Sequence, residues 1–73
     1  MEAHVVAKLC SSNLESCEFD SETGVLVIDF VAGSTYKYKN VPANIYHGLL
    51  AAESHGKFFH ENIRDKFPYH RVA

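Results

Sequence analysis

The sharpest hydrophobic and polar pattern in the chain is Thr35-Tyr36-Lys37-Tyr38-Lys39, where aromatic and basic residues alternate in strict period two. That period predicts a β-strand with both tyrosines on one face and both lysines on the other. Upstream, Ser16 to Asp20, the turn Ser21-Glu22-Thr23-Gly24 and Val25 to Phe30 read as strand, turn, strand. Gly24 supplies a positive φ where the turn ends. Val31-Ala32-Gly33-Ser34 makes a second glycine-containing turn into the tyrosine strand, so the three strands form a meander. Downstream the period changes. Ile45, Leu49 and Ala52 recur at i, i+4 and i+7 with Tyr46 and Leu50 beside them, which predicts a helix over Pro42 to Ala52 despite Gly48. Glu53-Ser54-His55-Gly56 breaks it. A second helix is expected from about Lys57 to Ile63 or beyond, with Phe59 and Ile63 one turn apart and Pro68 as its limit.

The fold class is therefore α+β, a small three- to four-stranded antiparallel meander followed by two helices packed on one face, in the order βββαα. The fourth strand depends on residues 1–10. Val5, Val6, Ala7 and Leu9 are apolar enough for an edge strand, yet a short terminus can equally fray, and little contribution to folding is expected of it. Residues 11–73 make up the domain, opening on the turn Ser11-Ser12-Asn13. The expected core is Leu26, Ile28, Phe30, Tyr36, Tyr38, Ile45, Leu49, Phe59 and Ile63.

Length and charge narrow the function classes. A chain of 73 residues is one small domain, and such domains bury only about 60% of their unfolded surface, so partners or dimer contacts matter. No apolar run approaches the roughly 20 residues that span a bilayer, no h-region opens the chain, and Cys10 and Cys17 are read as reduced thiols. A cytoplasmic protein without membrane partners is expected. The net charge of −2 excludes a uniformly basic nucleic-acid binder. It conceals a split: residues 1–34 carry six acids against Lys8, a net −5, whereas residues 35–73 carry a net +3 and four of the five histidines.

Candidate chemistry follows from that basic half. Lys57, His60 and Arg64 fall at i, i+3 and i+7, a basic stripe beside a helix start whose free N–H groups suit an anion. Glu61 and Asp65 lie one residue past His60 and Arg64, so the stripe can also be a solvated surface of local pairs. The tyrosine strand resembles sheets that stack bases on aromatics, but Lys37 and Lys39 face away from Tyr36 and Tyr38. They are expected instead to pair with Asp29 or Glu18 across strands. His60-Glu61-Asn62-Ile63-Arg64 lacks the second histidine of a helical zinc site, and Cys10 and Cys17 are too far apart for a zinc knuckle. No metal or cofactor is expected. Cys10 or Ser11 would serve as a nucleophile only with a convergent base and carboxylate, so no catalytic residue is assigned and no enzyme is expected.

The chain resembles the KTSC domain family, named for its occurrence at the C-terminus of some lysyl-tRNA synthetases. The likeness is carried by Ser11-Ser12-Asn13-Leu14, Tyr36-Lys37-Tyr38, Val41-Pro42 with Tyr46, and Ser54-His55-Gly56-Lys57-Phe58-Phe59 with Ile63-Arg64, in that order and spacing. His60 stands where that pattern has Asn, and Phe67 where it has Tyr. The resemblance implies a small α+β domain, often a stand-alone bacterial or phage protein, with RNA binding as a suggested role. On the residues and the resemblance together, the expected function is a non-enzymatic module for RNA or a nucleotide, with phosphates held by Lys57, His60, Arg64, Lys66 and Arg71 and the patch extended by Lys37 and Lys39. The alternative is a protein-interaction module or homodimer that uses the open sheet face bearing Val25 and Val27.

Overall fold

The computed structural model of the protein describes residues 4–9 and 12–73. Its elements are β1 (His4–Lys8), β2 (Leu14–Asp20), β3 (Val25–Phe30), β4 (Thr35–Tyr38), α1 (Ala43–Ala51), α2 (His55–Asn62) and β5 (Tyr69–Arg71). The strands form one antiparallel sheet in chain order, β1-β2-β3-β4-β5. The α+β meander with two following helices is as the sequence indicates, and two strands extend it. The N-terminal segment takes the edge-strand form, and Leu9 just after β1 is buried. The C-terminal tail returns to the sheet as β5. Its three residues are all exposed and carry no alternation to read. Main-chain bonds on either side hold it, from Lys39 N–H to the Pro68 oxygen at 2.8 Å and from Val72 N–H to the Thr35 oxygen at 2.8 Å.

Register sorts the side chains between two faces. Cys17 opposes Ile28, Phe19 opposes Leu26, Leu26 opposes Tyr38 and Ile28 opposes Tyr36, so these residues share one face. Tyr46 and Leu49 of α1, with Phe59 and Ile63 at α2, complete the same buried cluster, which places both helices on that face. Phe30, Tyr36 and Ile45 pack against the core without full burial. Six core residues were not in the sequence-based set: Leu9, Leu14, Cys17, Phe19, Val41 and Tyr46. Leu14 joins them because the register shifts between Leu14 and Ser16, leaving Glu15 without a register partner on β3 and turning Leu14 inward.

The opposite face carries Ser16, Glu18, Val25, Val27, Asp29, Thr35 and Lys37. Gly24, at φ +75°, closes the β2–β3 turn, and its carbonyl accepts from Val41 N–H at 2.8 Å, which ties that turn to the start of α1. Gly48 in α1 has a packing reason: a Cβ there would stand 2.6 Å from Cζ of Phe58, so the glycine lets α2 approach. The second helix starts two residues earlier than expected, at His55. Ser54 caps it by accepting from Lys57 N–H at 3.2 Å, and His55 Nδ1 lies 2.8 Å from the Leu49 oxygen.

Candidate functional site

Between α2 and the β4–β5 end of the sheet lies an open cleft of about 860 Å³. Its floor is aromatic. Phe30 meets Tyr36 and Phe59 edge-on at 5.6 and 5.4 Å, and Tyr38 meets Phe59 at 5.7 Å. Tyr36 and Tyr38 follow one another along β4 at 6.5 Å, and Tyr69 of β5 lies against both, at 5.9 and 5.5 Å. The rings differ in access: Tyr38 is 4% exposed and Tyr69 51%. Burial, then the neighbouring Tyr69 and Tyr36 phenols, push the Tyr38 hydroxyl up to about 12, with Arg64 acting in the opposite direction. Tyr38 is therefore neutral through the physiological range.

The cations come from α2 and the turn just after it. Lys57, His60 and Arg64 line the cleft together with Glu61. Arg64 Nη1 donates to Nδ1 of His60 at 3.3 Å, and its Nε lies 4.0 Å from Asp65 in an exposed pair. Such exposed pairs contribute little, so Asp65 does not hold the guanidinium away from a ligand. Gly56, at the capped start of α2, lines the same cleft.

Three of the seven proposed contacts line the cleft and four lie outside its lining. Lys57, His60 and Arg64 meet in the cleft. Arg71 opposes Tyr36 and so shares the sheet face of Tyr69, but it lies outside the cleft lining and its Nε donates to the Ala73 main-chain oxygen at 2.8 Å. Lys66 is exposed outside the lining, and Lys39 is exposed past the end of β4. Lys37 opposes Val27 on the far face of the sheet. Lys37 therefore does not extend the patch of Lys57, His60 and Arg64. The pairing of a strand lysine with Asp29 is corrected too: that carboxylate accepts from Ser16 Oγ at 2.9 Å and Thr35 Oγ1 at 2.7 Å. Lys37 instead shares a shallow hollow of about 360 Å³ with Glu18, Asp20, Thr23, Val25 and Val27.

The aromatic surface set aside in the sequence for want of nearby cations is therefore part of the site. Lysines of its own strand do face away, but Phe59 packs α2 against those rings and so brings Lys57, His60 and the following Arg64 to the edge of the same cleft. Tyr69 is the residue the sequence did not place, and only the β4–β5 register reveals it. Of the two departures from the family pattern, His60 accepts from Arg64 and Phe67 packs half-buried against the core. Among the described residues, no group of three or more His, Cys, Asp or Glu side chains is placed to hold a metal ion, and no helix is long and apolar enough to cross a membrane. Cys17 is a buried free thiol, while Cys10 and Ser11 lie outside the described residues.

A five-stranded meander backed by two helices defines a small α+β domain. The chain belongs to the KTSC domain family, whose model matches residues 10–67. A KTSC domain protein of Yersinia pestis has the same fold in its crystal structure, with a TM-score of 0.89 at 30% identity over 97% of this chain and all of that one. A protein of Tsukamurella paurometabola is 37% identical over 57 residues, covering 78% of this chain and 85% of that protein. The lysine–tRNA ligase of Trichormus variabilis is 34% identical over 62 residues, which is 85% of this chain but 11% of the ligase.

Proposed function

We propose that this protein is a non-enzymatic cytoplasmic binding module that takes RNA or a nucleotide into the cleft between α2 and β4–β5. The observation that carries the reading is the meeting of Tyr36 and Tyr69 with Lys57, His60 and Arg64 around one recess. Aromatic faces stack on bases and the cationic groups hold phosphates, which is the pairing of features nucleotide sites need. The lysine–tRNA ligase relative adds support, since an enzyme that handles tRNA carries a matching segment.

The test is binding of labelled tRNA and short single strands by fluorescence anisotropy at two salt concentrations. Binding at about 50 mM salt that weakens at about 200 mM is the expected result. If nothing binds at the lower salt, the reading fails. The open sheet face, where Val25 and Val27 lie half-buried beside Lys37, then becomes the surface to examine for a protein partner or a second copy.

A further inference from the structure

Resting on that reading, we infer that the ligand is a single-stranded segment, with one base stacked on Tyr69 beside Tyr36 and the adjoining phosphate held by Lys57 and Arg64. Three features select a single strand over a duplex. The first is access. Tyr69 is 51% exposed and inclined 46° to Tyr36, and both rings line a recess rather than a convex surface. A base reaches such a ring only when it is splayed from its neighbours, and bases in a helix are not.

The second is charge. Lys57 and Arg64 oppose Glu61 in the lining, so the positive excess is small, and the chain as a whole is acidic. Duplex binding draws its affinity from many phosphate contacts along two strands, and this cleft has too few cations to supply them. Stacking, which does not depend on charge, must then carry a large share of the affinity. The third is size. A recess of about 860 Å³ is in the range that encloses a drug-sized ligand, comparable to one or two nucleotides.

Arg64 is suited to its part because His60 Nδ1 takes one of its N–H groups and fixes its direction, leaving the others for a phosphate. Tyr69 lies beyond residue 67, where the family match ends, and on a strand whose three residues are all exposed. Changing it alters the stacking surface with little cost to the core.

The experiment compares one labelled RNA octamer as a single strand with the same sequence annealed into a duplex, with adenosine monophosphate as competitor, at about 50 mM salt. The single strand is expected to bind at least tenfold more tightly than the duplex. Tyr69→Ala is expected to weaken it about 5- to 150-fold, and Tyr69→Phe to retain it. Because the chain has four tyrosines and no tryptophan, intrinsic tyrosine emission should fall on binding and fall less in Tyr69→Phe. Tyr69→Leu, which keeps apolar volume without a ring, should bind as poorly as the Ala variant while melting close to the parent, so that loss of stacking is separated from loss of fold.

Equal or tighter duplex binding, or full binding by folded Tyr69→Ala and Tyr69→Leu, overturns the inference and leaves an electrostatic surface for nucleic acid. Adenosine monophosphate that competes as tightly as the strand itself overturns it in favour of a free nucleotide. Failure of every nucleic acid and nucleotide to bind overturns the underlying reading as well.

Discussion

Tyr46 of α1 lies nearly flat on Phe19 of β2, with ring centroids 4.7 Å apart and planes inclined by 14°, and its buried hydroxyl has no hydrogen-bond partner among the described residues. Burial and the neighbouring Cys17 push that phenol's pKa up. An unmet buried hydroxyl costs about 1 to 3 kcal/mol. Tyr46→Phe keeps the stacked ring and removes the orphan, so the variant should be more stable by about 1 kcal/mol, or about 4 to 8 °C in melting temperature for a domain this size. A melt no higher than the parent's would mean that the hydroxyl finds a partner in solution.

The same pair shows what the sequence could and could not disclose. Periodicity identifies elements, so the tyrosine strand, the preceding hairpin and both helices were legible from Thr35 to Lys39, Val25 to Phe30, and Ile45 with Leu49. Long-range register is not periodic. Nothing local to Phe19 points to Tyr46, and nothing in Tyr69-His70-Arg71 marks a strand, because its partners are supplied by β4 more than thirty residues earlier. The cleft was half legible for this reason. Lys57 and His60 share a helix face by spacing alone, with Arg64 just past the helix end, whereas their position beside Tyr36 and Tyr38 follows from packing between Phe59 and Tyr38.

Gly48→Ala tests the closeness of the two helices. Alanine raises helix propensity by about 1 kcal/mol over glycine, but its methyl would lie 2.6 Å from Cζ and 3.0 Å from Cε2 of Phe58. The half-buried ring has to shift, and such overpacking costs about 1 to 3 kcal/mol. A net loss of about 1 kcal/mol in chemical denaturation is expected. Phe58→Leu in the same chain should recover part of it.

Removal of residues 1–8 tests β1. Five positions of this strand pair with β2, from His4 with Asp20 to Lys8 with Ser16. At about 0.2 to 1 kcal/mol for each cross-strand pair, their loss should cost about 1 to 5 kcal/mol. It also exposes the edge of β2, an invitation to pair with another chain. The truncated protein should melt well below the parent and show larger species in size-exclusion chromatography. An unchanged melt and size would make the segment dispensable.

Alkaline pH should weaken the fold. Burial raises the Cys17 thiol from 9.0 to about 11, and Tyr38 rises from 10.0 to about 12, so the folded chain keeps both protons where the unfolded chain releases them. With more protons bound in the folded state, stability falls as pH rises; it is complete below about 9 and decreases progressively toward 12. Each group contributes on the order of 2 kcal/mol by the top of that range. Denaturation midpoints measured from pH 7 to 11 should decline beyond pH 9, and more shallowly in Cys17→Ala.

Charge reversals on the two faces of the molecule locate the phosphate contacts. If Lys57 and Arg64 are the groups that neutralise phosphates, two contacts to a single strand give a slope of log affinity against log salt near −1.4, by the rule of about 0.7 per phosphate. Arg64→Glu should then weaken all sequences alike and reduce that slope toward −0.7, since a phosphate contact orients a strand without reading its bases. Lys37→Glu should change neither affinity nor slope, because its side chain opposes Val27 on the face away from the cleft. Lys66→Glu should act only through the general field, and so fade at higher salt. A slope near −2.8 in the parent would mean about four contacts and draw Lys66 and Arg71 back into the interface. Sensitivity to Lys37 greater than to Arg64 would move the site to the opposite face of the sheet.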